Sequence, residues 1–194
     1  RVVCNFSTSS GRKQDMEGQQ FVALLRGINV GGNNIIKMAD LKSCFEGMGF
    51  TGVSTYIQSG NVIFSSVERD KAKLTRKIET VLSDRFSYKS QLVLVTYREL
   101  EAIVAGAPSG FGKFPGEYKY DVMFLREGLS ASDLLRQIPL TAGVDQVWNG
   151  AGVIYFSRLG NKSSQSRMSK IITMPFYREI TIRNWNTATK LLNF

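Results

Sequence analysis

The sequence predicts an α+β fold built from two successive ferredoxin-like β-α-β-β-α-β units with an extra C-terminal helix. Segments with the apolar periods of strands and helices follow one another in this order over residues 21–95, and the order recurs over residues 119–182. A short turn signal stands where each unit needs its hairpin, Ser59-Gly60 in the first unit and Asn149-Gly150 in the second.

The first unit begins with a continuous apolar run, Phe21 to Leu25, which predicts a buried central strand. A helix is predicted over 38–48, because apolar residues recur there at spacings of three and four. The remaining elements of the unit are predicted in this order: strands at 53–58 and 61–66, a helix at 69–86, a strand at 91–95, and a helix behind a capping box of Thr96 and Glu99.

The second unit repeats this order with shorter segments. Ser130 is predicted to cap a helix that stops at Pro139, and Asn184 is predicted to cap the terminal helix. The other elements are predicted at these positions: strands at 119–125, 146–148, 153–157 and 180–182, and a helix at 167–172.

Two further segments set the expected boundaries. Residues 1–20 have few large apolar residues and no period, so we expect a disordered tail or an extension. Residues 106–117 contain four glycines and two prolines and are the predicted linker. The first unit is therefore expected over residues 21–105, and the second unit with its terminal helix over residues 118–194.

Composition excludes several kinds of chemistry. The chain has no histidine and two cysteines, so Ser-His-Asp catalysis, Cys-His catalysis and a zinc site within one chain are all excluded. We expect no metal and no cofactor. The two cysteines do not predict a disulfide, and no apolar stretch has the length of a membrane span; the expected location is the cytoplasm.

The net charge of +9 is concentrated toward one end of the sequence. After Asp145 the chain has seven basic residues and a single acid, Glu179, and hence a net charge of +6. Such a block suits phosphate or another anionic partner, although a solvated basic surface has the same composition.

Three segments contain more glycine, asparagine and basic residues than a core requires. In chain order they read LLRGINVGGNN at 24–34, TYIQSGNV at 55–62, and IRNWNT at 182–187 with Lys190. At these residues the chain resembles an uncharacterised, mainly bacterial family, domain of unknown function (DUF) 1697. A Lys-Met pair at 37–38 and a Ser/basic element at 166–170 belong to the same resemblance, which covers residues 21–194. It implies an α+β fold and no established activity.

A glycine-rich loop between a strand and a helix can direct backbone N–H groups at an anion. Arg26, at the end of a buried strand, needs an anionic ligand or an ion pair between the lobes. We therefore name one set of candidate anion-binding residues: Arg26, Gly27, Asn29, Gly31, Gly32, Lys37, Gln58, Ser59, Asn61, Ser166, Arg167, Lys170, Arg183, Asn184 and Lys190. The competing interpretation is structural, with asparagine side chains that satisfy backbone groups in tight connections.

The leading functional hypothesis is a binding module for a phosphate-bearing ligand, with nucleic acid first among the candidates. One alternative is an enzyme that acts on a small phosphorylated metabolite in an interlobe cleft. The other alternative is a structural or protein-interaction module. No catalytic residue is predicted, because no pair of carboxylates has a spacing that suggests acid–base catalysis.

Overall fold

The structure of the protein is a computed structural model that describes residues 18–29 and 34–194. Residues 1–17 of the predicted tail, and Gly31 and Gly32 of the glycine-rich loop, lie outside the described residues. The first strand begins at Gln19, before the predicted start at Phe21. Gln19 and Gln20 belong to the strand because they continue its antiparallel pairing, opposite Ser66 and Ser65.

The first half contains the predicted order of elements. They are β1 (Gln19–Leu25), α1 (Met38–Gly47), β2 (Thr51–Tyr56), β3 (Asn61–Ser66), α2 (Lys71–Phe86), β4 (Leu92–Thr96) and α3 (Tyr97–Ala105). The second half contains β5 (Tyr118–Leu125), α4 (Ala131–Leu135), β6 (Asp145–Gly150), β7 (Val153–Leu159), β8 (Ile180–Asn184) and α5 (Trp185–Lys190). Between β7 and β8 the chain forms three 3-10 segments, Gly160–Gln165, Arg167–Thr173 and Pro175–Glu179.

The fold is a mixed arrangement of helices and two four-stranded antiparallel sheets. Strand order is β2-β3-β1-β4 in the first sheet and β6-β7-β5-β8 in the second. The residues that follow the central strands make corresponding hydrogen bonds: Arg26 N donates to Gln91 O (2.8 Å), and Arg126 N donates to Glu179 O (3.0 Å). Each acceptor lies directly before the edge strand of its sheet, so the two halves share strand order and this detail of register.

The predicted helix caps are confirmed. In α3 the Thr96 hydroxyl accepts a hydrogen bond from Glu99 N (3.1 Å), and the Glu99 carboxylate accepts one from Thr96 N (2.7 Å), which is a complete capping box. At the starts of α4 and α5 the side chains of Ser130 and Asn184 each accept one hydrogen bond, from Asp133 N and Asn186 N.

The hairpin of the first half is longer than predicted. Tyr56 of β2 pairs with Asn61 of β3, so residues 57–60 form the connection instead of a two-residue turn. Ile57 (φ 49°) and Gly60 (φ 76°) have left-handed conformations, which take the chain out of the ladder. A Cβ on Gly60 would lie 2.6 Å from Ile28 Cδ1, so the close packing here requires glycine.

The predicted Asn149-Gly150 turn is wrong by two positions. Both residues belong to β6, Gly150 pairs with Val153, and the turn consists of Ala151 and Gly152. The pairing that holds Trp148 opposite Tyr155 sets this register, and burial of the side chains on one face outweighs a local turn preference.

The helix predicted over 167–172 is present at 167–173, but as a 3-10 segment and not as the α-helix that the β-α-β-β-α-β order requires. The Ser166 hydroxyl accepts a hydrogen bond from Met168 N (3.1 Å) at its start. Pro175, which has no N–H to donate to a continuing helix, begins the next segment. Within residues 118–194, the place that α2 occupies in the first half is therefore filled by 3-10 turns.

Apolar side chains form three layers. One lies between the first sheet and helices α1 and α2, and includes Phe45 and Phe64. The second lies between the two sheets, includes Leu24 and Val122, and also takes side chains from α3 and α5. The third covers the outer face of the second sheet, around Phe156. Both faces of each sheet are thus buried, and the halves share the middle layer of the core.

Among the residues that the structure describes, no helix combines the length and apolarity needed to cross a bilayer.

Candidate functional site

The three polar segments, at 24–34, 55–62 and 182–187, contact one another where the two halves join. Arg183 of β8 projects from the second half and donates to four groups of the first. Nε donates to Asn61 Oδ1 (2.6 Å), and Nη2 donates to the carbonyl oxygens of Leu25 (2.7 Å), Ser59 (3.1 Å) and Gly60 (3.3 Å). We call these residues, with Thr181, the Arg183 cluster.

The remaining donors of Arg183 are satisfied within its own strand. Nη1 donates to Thr181 Oγ1 (2.8 Å) and to Ile182 O (3.0 Å). A guanidinium has five N–H groups, and here all are directed at neutral oxygens. No carboxylate of the described residues forms an ion pair with Arg183. In this arrangement it has no donor left for an anion.

The electrostatics of the cluster follow from its burial. Arg183 is 7% exposed, and desolvation lowers the pKa of its guanidinium to about 10. The residue stays charged at neutral pH. A buried charge without a counter-ion depends entirely on its hydrogen bonds, so Arg183 is best described as a structural connection between the halves.

Asparagines of the first two motifs also bind backbone groups. The Asn29 amide donates to Ile36 O and Gln58 O (both 2.9 Å), and its Oδ1 accepts from Ile36 N (2.7 Å). Asn61 is fully buried, and its amide donates to Tyr56 O (2.9 Å). Side-chain oxygens and amides therefore hold the loop after β1 against the 57–60 connection, as the structural interpretation expects.

Arg26 lies beside this cluster but faces a different space. Its guanidinium carbon stands 4.2 Å from the centroid of the Tyr177 ring. The side chain lines a crevice between the halves together with Arg126, Arg178 and Glu179, and in this structure the crevice is too narrow to hold a water molecule. A neighbouring cleft of about 200 Å³, which shares Arg126, is lined by Lys71 and Arg76 among others. We call the two clefts together the junction groove.

The other predicted residues that the structure describes do not line this groove. Lys37 is exposed at the start of α1, and Lys190 is exposed on α5. Asn184 uses its side chain to cap α5 and to donate to Tyr120 O (3.2 Å). Ser166, Arg167 and Lys170 lie in the 3-10 region, where Ser166 acts as a cap. Gly27 is exposed, with φ 69°.

Comparison with known proteins identifies the family. The sequence model described as "Protein of unknown function (DUF1697)" matches residues 19–155. The chain belongs to this family. Among solved structures, a conserved bacterial protein from Streptococcus pneumoniae is similar, with a TM-score of 0.79 and 28% identity over 91% of this chain and 99% of that chain. Comparison with curated proteins finds no match.

Two buried carboxylates of this DUF1697 chain were not predicted as site residues. Asp121 forms an ion pair with Arg158; burial raises the pKa of Asp121, and the nearby Arg158 opposes that rise. Asp145 Oδ2 accepts from the backbone N–H groups of Thr141 and Arg167 (both 2.9 Å). Its Oδ1 is fully enclosed and has no partner among the described residues. Asp121 therefore links β5 to β7, and Asp145, at the start of β6, holds the backbone at Thr141 and Arg167.

Cys44 is positioned as a small residue of the core. It is half-buried against the layer under the first sheet, and burial raises the pKa of its thiol. A raised pKa leaves less of the nucleophilic thiolate at neutral pH.

Sequence reasoning also missed an aromatic cleft of about 290 Å³. The segment 106–117 forms one side of it, and β5, β6 and β7 form the other. Phe111 anchors this segment to the fold, because it is 8% exposed and packs in the middle layer of the core. The available signal was the pair Tyr118 and Tyr120, whose spacing of two places both rings on one face of a strand.

Proposed function

We propose that this protein binds a small phosphate-bearing ligand in the junction groove. The supporting observation is that Arg26 from the first half and Arg178 from the second line the same cleft, and neither forms an ion pair within the described ranges. Arginine suits this role because its planar donors match phosphate oxygens.

The groove extends this basic surface along the first half. Lys71 and Arg76 of α2 line the wider part, which at about 200 Å³ has room for a phosphate group. Arg76 is exposed and makes no ion pair with a described residue, whereas Lys71 is paired with Glu99 at 2.7 Å. A ligand in the wider part could therefore contact Arg76 without displacing a carboxylate from it.

Carboxylates limit the role of Arg126. It contacts Glu79 at 3.2 Å and Glu179 at 3.7 Å, so its charge is already compensated. Glu127 also lines the wider part. The groove is consequently suited to one phosphate group in its wider part, and less suited to the long backbone of a nucleic acid. Contact of that group with Arg26 and Arg178 requires the narrow part to open.

The test uses inorganic pyrophosphate and the full chain. At constant ionic strength, pyrophosphate at about 100 times its Kd should stabilise the native state by about 2.7 kcal/mol. For a chain of this length, that raises the Tm by roughly 5–10 °C. Arg26→Gln and Arg178→Gln should each remove most of this increase, while Arg167→Gln, a matched loss of charge outside the groove, should retain it.

The outcomes separate the candidates. An equal rise in Tm for the wild type and for Arg178→Gln would refute the groove as the site, and no rise in the wild type would refute phosphate binding. Nucleic acid is tested by fluorescence anisotropy with a single-stranded oligonucleotide. Tight binding that survives Arg26→Gln, with log K falling against log[salt] at a slope of about −3, would replace the small ligand with nucleic acid.

We also infer that each half is a ferredoxin-like unit, with boundaries at 21–105 and 118–194. The inference is supported by the common strand order of the two sheets and by the corresponding bonds of Arg26 and Arg126. On this view, the 3-10 turns of the second half replace a helix of the unit.

A further inference from the structure

The aromatic cleft is distinct from the junction groove, with which it shares no lining residue. Six of its lining residues carry aromatic rings or charge: Phe111, Phe114, Glu117, Tyr118, Tyr120 and Trp148. Phe114 is 55% exposed, so its ring is open to a ligand. The cleft thus offers a partly covered aromatic surface.

Packing holds several of these rings in fixed positions. Phe111 stands edge-on to Tyr120, with centroids 4.8 Å apart, and to Trp148, with centroids 5.8 Å apart and planes at 87°. The ring centroids of Phe111 and Trp185 are 5.1 Å apart, with their planes at 88°. These edge-to-face contacts fix the positions of the rings. Little side-chain conformational entropy is therefore lost when a ligand binds.

The charge of the cleft has the opposite sign to that of the chain. Glu117 is the only charged residue of the described ranges that lines it, and it forms no ion pair there. Lys119 is two positions away, but alternation along β5 places it on the other face of the sheet from Tyr118 and Tyr120. In a chain of net charge +9, this arrangement disfavours an anion.

We propose that the aromatic cleft binds a small organic cation of the alkylammonium class. Aromatic faces attract ammonium groups that are shielded from water, and a nearby carboxylate adds to the attraction. Ser157 lines the cleft, is 1% exposed, and its hydroxyl makes no side-chain hydrogen bond to the described residues. It provides a polar contact for a hydroxyl or carbonyl group carried by the same ligand.

The test follows the two tryptophans of the full chain, Trp148 and Trp185, by their indole N–H signals in an NMR titration. The probes are choline chloride and its neutral isostere, 3,3-dimethylbutan-1-ol, at constant ionic strength. Choline should shift the Trp148 signal saturably, and the isostere should bind about 10-fold more weakly. Glu117→Gln should weaken choline binding about 3-fold, and Phe114→Leu about 5-fold. Glu101→Gln, a matched loss of charge on the exposed surface of α3, should have no effect.

Three results would overturn the proposal. Equal binding of choline and the isostere would show an apolar cleft without preference for charge. A shift with adenosine but not with choline would assign the cleft to a planar base. Choline binding that is unchanged in both Glu117→Gln and Phe114→Leu would place the cation elsewhere on the protein.

Discussion

Substitution of Arg183 by methionine tests the central connection between the halves. Methionine keeps much of the side-chain volume and removes every donor. Among the acceptors left behind, Asn61 Oδ1 and Leu25 O belong to residues that are 0% and 1% exposed, so water cannot easily replace the lost bonds.

The expected cost follows from these groups. Each buried acceptor without a partner costs about 1–3 kcal/mol. Relief from burying the guanidinium, whose pKa desolvation lowers to about 10, offsets part of this cost. We expect a net loss of about 2–5 kcal/mol in the free energy of unfolding, and a fall in Tm of roughly 4–20 °C.

The assay is urea denaturation followed by circular dichroism, with Arg136→Met as the control. The side chain of Arg136 is 72% exposed, so its replacement should change stability by less than about 0.5 kcal/mol. A double-mutant cycle with Asn61→Ala should give a coupling of at least about 1 kcal/mol. A loss below about 1 kcal/mol for Arg183→Met, or strict additivity in the cycle, would refute the structural role.

Two further predictions concern local features. Burial raises the pKa of Glu99, but hydrogen bonds from Lys71 and the helix cap outweigh it and lower the pKa below the ordinary value of 4.5. The stability that Glu99 contributes is therefore present above pH 4.5 and lost as the pH falls through the lowered pKa, so the difference in Tm between wild type and Glu99→Gln should shrink on acidification; a constant difference would contradict this. Gly112→Ala should destabilise by about 1–3 kcal/mol in urea denaturation, because its Cβ would lie 2.2 Å from Trp185 Nε1. Gly128→Ala is the control, since it has a similar φ (90°) and nothing within 4 Å; equal losses would show that backbone strain alone is responsible.

Much of the fold could be predicted because its signals are local. The capping box of Thr96 and Glu99 and the apolar stripe of α1 depend on residues within one or two turns of helix. The prediction of a turn at Asn149-Gly150 was wrong because a non-local pairing decided the register. That pairing places Trp148 opposite Tyr155 across the sheet. The helix at 167–172 was placed correctly, but its 3-10 type was not predicted; Pro175, which begins the next segment, leaves no room for a longer α-helix.

The site was predicted less completely. The motifs around Asn61 and Arg183 do meet, although 122 residues separate them. The sequence could not show which groups accept the hydrogen bonds of Arg183. Most of them are backbone carbonyls, and every residue has one. The aromatic cleft was missed since Phe111 and Phe114 lie among glycines and prolines, a composition that predicts a flexible connection.

The buried Arg183 has a consequence for how the chain folds during synthesis. The carbonyls of the 57–60 connection and Oδ1 of Asn61 emerge from the ribosome long before the arginine that satisfies them. Until then, the first sheet also exposes the apolar face that later packs on the second. During this interval the free acceptors of the first half bind water, and its apolar face stays open; exposed apolar surface of this kind is what chaperones bind and what makes partly folded chains aggregate.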